Sequence, residues 1–213
     1  MATVFQTTLV PTKLELVAGW IPSQPWFTGD ASALEPVGGF RLDDPAGEVG
    51  LEFHLLRDGS TGRTYQVPLA YRGAASAEAE QGLIGTLEHG VLGTRWVYDG
   101  AYDPVLVAQL SALVVGDAEP QHQSTSDTPE PSVHRRWSGS GRPEPVAGQV
   151  LSDDTTTTVP LTGATADDGS PLVLAVVRVL EPGSDELPAP GVVSAEWTAP
   201  DGSTVRGPVA VVG

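Results

Sequence analysis

Two stretches of alternating residues, each seven long, constrain this chain most. In the first, Val49, Leu51, Phe53 and Leu55 alternate with Gly50, Glu52 and His54. In the second, Tyr65, Val67, Leu69 and Tyr71 alternate with Gln66, Pro68 and Ala70. Between them lies Asp58-Gly59-Ser60-Thr61-Gly62, whose residue types favour a tight reversal. Successive side chains of a strand point to opposite faces, so the pattern predicts a β-hairpin with one buried face and one polar face. Pro68 has no N–H to give to a ladder, so its strand is expected at an edge or bulged there.

The flanking sequence extends the sheet. Leu34 to Leu42 reads as a strand with a kink or bulge at Gly38-Gly39, and Leu83 to His89 and Thr94 to Tyr98 read as two more around Gly90. Leu14 to Trp20 has weak helical character and is stopped by Gly19, Trp20 and Pro22. A firmer helix follows Asp103, a good N-cap, with Pro104 at its first position and Gly116 as a left-handed stop. Leu106, Leu110, Leu113 and Val114 form one stripe, which should pack on the sheet. The expected class is α+β: a curved antiparallel sheet with a packed helix, plus a smaller β-rich C-terminal part.

From Asp117 to Gly148 the composition shifts to Pro, Ser, Gly, Gln and Glu with few aliphatics. Ordering backbone costs roughly 1–2 kcal/mol per residue, so such a stretch is expected to be disordered or to run over the surface. Beyond it, Thr155–Thr158 suits an exposed strand and Leu172 to Leu180 a central one. Val192 to Thr198 and Val205 to Val212, joined by Pro200-Asp201-Gly202-Ser203, suit a second hairpin. The expected division is a first domain at 1–116, a linker at 117–145 and a β-rich subdomain at 146–213, either separate or extending the first sheet.

Composition narrows the function. The 213 residues carry a net charge of −16, and Lys13 is the only lysine. Such a surface repels nucleic-acid phosphates and anionic lipid, so neither is an expected partner. The absence of cysteine removes disulfides, thiolate catalysis and Cys-ligated metals. Met1 to Val10 has no basic n-region, and the apolar run Val105 to Val115 is too short to span a bilayer, so the expected location is the cytoplasm.

Chemical motifs are sparse. The sequence has no phosphate-binding G-x-x-x-x-G-K-[ST]; Ser138-Gly139-Ser140-Gly141 lies in the linker and reads as a spacer. No G-x-S-x-G elbow occurs. His54, His89, His122 and His134 lack metal-ligand spacing, and the doublets Asp43-Asp44, Asp153-Asp154 and Asp167-Asp168 read as turn chemistry. Neither cofactor nor metal is expected. Trp96 and Trp197 read as core. Trp20, Trp26 and Phe27, around a proline-interrupted segment, and Trp137, after Arg135-Arg136, are the candidate ligand or partner surface, Trp137 being the most exposed.

Trp20-Ile21-x-x-Gln24-x-Trp26-Phe27-x-Gly29 resembles the signature that opens the N-terminal cap of actinobacterial maltokinases. Tyr65-Gln66-Val67-Pro68-Leu69 resembles the strand after the cap's hairpin turn, and Tyr98-Asp99-Gly100-Ala101-Tyr102-Asp103 resembles the element at the cap's end. The three occur in order and cover about residues 10–116. Leu172 to Leu187 resembles the maltokinase strand that carries the nucleotide-anchoring lysine, with Ala175 in the lysine's place. A methyl group cannot supply that cation, and the chain ends before a catalytic loop or Mg²⁺-binding Asp, so kinase activity is not expected. The resemblance implies an α+β cap and kinship to α-glucan and trehalose metabolism. The leading expectation is a non-catalytic interaction or regulatory module that docks onto another protein, an enzyme of that metabolism. The alternatives are a glucan-binding module using exposed tryptophans, or an enzyme whose carboxylates assemble across the fold.

Overall fold

The computed structural model describes residues 7–146, 149–166 and 169–213. The Asp167-Asp168 doublet, Gly148 and the first six residues lie outside them. The chain runs β1 (Leu9–Val10), α1 (Lys13–Trp20), β2 (Leu34–Leu42), β3 (Gly50–Asp58), β4 (Thr64–Arg72), β5 (Leu83–His89) and β6 (Gly93–Asp99). After α2 (Pro104–Val115) come β7 (Gln121–His122), β8 (His134–Trp137), β9 (Ser140–Pro145), β10 (Leu151–Ser152) and β11 (Thr156–Thr165). It ends with β12 (Pro171–Val177), β13 (Val179–Leu180), β14 (Gly191–Thr198) and β15 (Thr204–Val212).

Among the described residues these strands form two antiparallel sheets, the α+β arrangement that the sequence implied. The first has eight strands in the order β1-β5-β6-β4-β3-β2-β7, with β13 also on β4. The second has seven, β10-β11-β12-β15-β14-β8, with β9 also on β11. The C-terminal part therefore builds its own sheet and lends one strand to the first. A single core joins Phe40, Leu51, Phe53 and Leu55 of the first sheet to Leu106, Leu110 and Leu113 of α2 and to Leu174, Val193 and Trp197 of the second.

The β3–β4 hairpin forms, but it does not have one buried face. Its register pairs Leu51 with Ala70, Phe53 with Pro68 and Leu55 with Gln66, while Glu52 faces Leu69, His54 faces Val67 and Leu56 faces Tyr65. Cross-strand partners share a face. The apolar sets of the two strands thus lie on opposite sides of the sheet, and both sides are buried. Leu51, Phe53 and Leu55 enter the core shared with the second sheet. Leu56, Tyr65, Val67 and Leu69 enter another core, with Val17 of α1, Ile21 and Trp26.

Pro68 also departs from expectation, since β4 is an interior strand that pairs with β3 without a register shift. On its other side β4 has two part-time partners. Thr64 and Tyr65 pair with β13, the Gln66 N–H donates to the Arg178 carbonyl, and β6 takes over from Leu69 to Arg72. N–H directions alternate along a strand, so the Pro68 nitrogen points the same way as that of Gln66, into the gap between the two partners. The bulge anticipated near Gly38-Gly39 falls between Pro36 and Gly38.

The helices follow their local signals. Thr12 and Glu15 close a capping box on α1. The Asp103 carboxylate accepts from the Val105 and Leu106 N–H groups at the start of α2, and Gly116 ends it at φ 92°. The 117–145 stretch, expected as slack linker, instead contributes β7 to the first sheet and β8 and β9 to the second. Its backbone is held by ladders, which its side-chain composition does not reveal.

Candidate functional site

The residues read as a ligand or partner surface have two different fates. Trp20, Trp26 and Phe27 come together at the end of α1. The Trp20 and Trp26 rings meet edge to face at 5.9 Å, and Phe27 lies 5.0 Å from the Tyr65 ring. Trp26 is 1% exposed, in the second core, with the Arg178 guanidinium 5.1 Å from its ring. It offers no face to a ligand, because the loop folds its indole inward against β4. Trp20 and Phe27 are half-buried on the same core. Trp137 lies elsewhere, in β8, and is half-buried where it was expected to be the most exposed. Its ring packs so close to Gly139 and Gly191 that a Cβ there would fall 2.6 and 3.0 Å from it.

The other residues that resemble the cap are likewise committed to packing. A Cβ on Gly29 would lie 2.0 Å from the Asp58 carboxylate, so only glycine fits. Tyr65 donates its hydroxyl to the Thr28 carbonyl, and the Gln66 amide donates to the Val177 and Val209 carbonyls across to the second sheet. Asp103, besides capping α2, receives Arg72 at 2.6 Å. Asp99 is 1% exposed and takes both oxygens of its carboxylate to Arg178 Nη2, at 2.7 and 2.6 Å. Arg178 is itself fully buried and donates from Nε to Thr157.

Sequence reasoning missed a polar recess on the first sheet. Glu52 and His54, read as the outer face of a hairpin, lie on the side of the sheet that α1 covers. Lys13 Nζ reaches both Glu52 oxygens at 2.7 Å, His54 Nε2 lies 2.8 Å from Glu52 Oε2, and the Tyr71 hydroxyl donates to the same oxygen at 3.2 Å. Gln123 Nε2 sits 3.1 Å from His54 Nδ1 and holds the other side of the ring. Lys13 Nζ also stands 5.1 Å from the Tyr71 ring centroid. The warning in the sequence was β4, whose apolar set needed a partner on the side of the sheet that carries Glu52 and His54.

The cluster borders a cavity of about 430 Å³ between the β2–β3–β4 face and the β5–β6 hairpin. Arg41, Asp44, Glu48, His89, Leu92 and Arg95 are among the other residues of its wall. Burial on its own would raise the Glu52 pKa, but the bonds and charge of His54 and then of Lys13 outweigh it and bring it down to about 2. Burial, and then the Glu52 charge and hydrogen bond, push Tyr71 well above its ordinary value. A carboxylate so firmly ionised, with its acceptor positions filled, is neither a general acid nor an effective base near neutrality. The cluster is suited to holding geometry and charge. Among the described residues no group of three or more His, Asp or Glu is placed to hold a metal ion.

Residues 20–103 match the family model of the maltokinase N-terminal cap domain. The match begins at the tryptophan of the opening signature and ends at the N-cap of α2, narrower than the 10–116 suggested by the motifs. This part of the chain is thus similar to the maltokinase N-terminal cap domain. The match spans less than half of the chain and leaves out α2 and the whole second sheet. No curated protein matches the chain. No helix among the described residues is long and apolar enough to cross a membrane.

Proposed function

We propose that this protein is a non-catalytic interaction or regulatory module of the cytoplasm that docks onto another protein, an enzyme of α-glucan or trehalose metabolism. The reading rests chiefly on the cap match at residues 20–103, because that domain is a non-catalytic part of maltokinase. Two features of the chain agree with it. The only lysine, Lys13, is held by Glu52 in the first sheet. Ala175, in the strand that resembles the nucleotide-anchoring one, is enclosed in a ladder between Thr158 and Val211. Neither place offers an ammonium to a nucleotide phosphate.

The test pairs calorimetry of ATP–Mg²⁺ binding and a maltose phosphorylation assay with affinity capture from the native cytosol. The expected outcome is no saturable ATP binding, no sugar phosphate, and enrichment of an enzyme acting on maltose, trehalose or their polymers. Micromolar ATP binding with sugar phosphorylation that survives repurification would overturn the proposal.

A further inference from the structure

We propose that residues 181–190 form a strap that opens and closes over the outer face of the second sheet, with Arg136 as its pin. The inference concerns a movement within the chain and stands whether or not the protein docks onto an enzyme.

The inner face of the second sheet carries Leu174, Val193, Ala195 and Ala210 into the shared core. Cross-strand pairs trace a row of the outer face from edge to edge: Arg136 on β8, then Val192, Val211, Ala175, Thr158 and, on β10, Leu151. Exposure changes along this row. Leu151 at the far edge is 55% exposed, whereas Val192, beside Arg136, is 1% exposed. Val192 belongs to neither hydrophobic core, so something else covers it. Ser194, the next residue of β14 on the same face, is also 1% exposed. The cover is the segment 181–190, which joins β13 to β14 and contains neither helix nor strand. At its start the Gly183 N–H donates to the Arg206 carbonyl, and Glu181 crosses so close to Gly207 that a side chain would not fit there. At its end the Pro190 carbonyl accepts from the Ser138 N–H. Between these ends, among the described residues, one side chain ties the strap to the sheet. Arg136 donates from Nη2 to the Leu187 and Ala189 carbonyls, at 2.7 and 3.0 Å, and from Nε to that of Asp185, at 3.3 Å.

The closed position is poorly satisfied. Asp185 Oδ1 and the Ser194 hydroxyl are buried with no hydrogen-bond partner. An unpaired buried polar group opposes its own burial, and opening returns both to water. The ends resist a wider unravelling, because β13 is paired to β4 and Gly191 to both Trp137 and Val212. Pro182, Pro188 and Pro190 restrict the open chain, so reseating it orders little that was free. A segment pinned by one residue, over groups outside both cores, has the features of a unit that opens locally while the sheets stay folded. Opening joins Val192 to the exposed end of its row.

The chain has no cysteine, so Ser194→Cys places a single thiol beneath the strap, close in size to the hydroxyl it replaces. Ala195→Cys, at the next residue, places one in the shared core. The experiment follows maleimide labelling of each full-length variant in the absence of denaturant, with circular dichroism as the check on folding. Ser194→Cys should label at least about tenfold faster than Ala195→Cys. Adding Arg136→Ala should speed the first by about tenfold or more and leave the second unchanged. Amide exchange of the unmodified protein gives an independent reading, in which Gly183 should exchange about tenfold or more faster than the amides of β14. Equal labelling of the two thiols would overturn the inference, as would Gly183 protection matching that of β14. So would a Ser194→Cys rate insensitive to Arg136→Ala, or a rise of both rates together, which would mean unfolding of the sheet.

Discussion

Two carboxylates flank Leu69 in the first sheet, Glu52 on β3 and Asp99 on β6, and the protein treats them in opposite ways. Asp99 is sealed, with Arg178 over it and Trp26 over the arginine. Glu52 borders a cavity and is held by three different side chains, one of them a partly exposed lysine. A buried ion pair must offset the loss of hydration, and a buried arginine whose Nη2 reaches both carboxylate oxygens does so only while both partners are present. A carboxylate at a cavity wall keeps part of its hydration and loses less when one partner is removed. The difference separates a sealed contact from an open one: the Asp99 pair joins the two sheets, and the Glu52 cluster lines a cavity.

The contrast is sharpest when the sealed pair is broken. Arg178→Ala leaves Asp99 charged, buried and unpaired, and should cost about 3–5 kcal/mol, read as a large fall in denaturation midpoint. Replacing both, as Asp99→Ala with Arg178→Ala, should recover part of the loss; a single variant as stable as the parent would mean that the pair is not sealed in solution. Trp26→Ala removes the lid of the same pair and opens a cavity in the second core, at a cost of about 3 kcal/mol. With it goes the expectation that the parent protein binds no maltodextrin. A variant that melts like the parent yet loses a measurable glucan interaction would make Trp26 a binding residue and this protein a carbohydrate-binding module.

The open cluster should respond to acid. Glu52 has a folded-state pKa of about 2 against an ordinary value of 4.5, and Asp58 is likewise held at about 2, against 3.8, by bonds from Ser60, Thr61 and the Asp30 N–H that outweigh its burial. Both shifts are downward, so the stability they contribute is complete above the unfolded values and is lost as pH falls from about 4.5 toward 2. Glu52→Gln should flatten that limb and cost roughly 2 kcal/mol at pH 7. A thermal midpoint independent of pH from 6 to about 2.5 would contradict this placement of the charges.

These contrasts were unevenly visible in the sequence. The longer strands, both helices and the caps of α2 could be read because Asp103, Pro104, Gly116 and the alternating runs act locally. The register of β3 against β4 could not, and it decides which face is which. A sheet buried on both sides looks, strand by strand, like one buried on a single side. The error carried Glu52 and His54 from the inside of the molecule to its surface, and the cavity with them. For Trp26 the sequence left a packed ring and a flat ligand face both open, with packing the leading expectation; what it could not show is that the ring packs under Arg178, a residue 152 positions later in the chain. Likewise, nothing in the composition of 117–145 shows that its backbone completes ladders in two sheets.

The divided partnership of β4 has a consequence for how the protein is made. Half of one side of this interior strand waits for β13, more than a hundred residues downstream. While the ribosome is still delivering the second sheet, a nascent chain that has already paired β3, β4 and β6 presents a short open edge at Thr64–Gln66, and a second copy emerging nearby could occupy it. Pro68 interrupts that edge and limits how far a wrong partner could extend. Long-range closure of this kind slows folding, so translation speed and chaperone supply should govern the yield of the protein more than its final stability does.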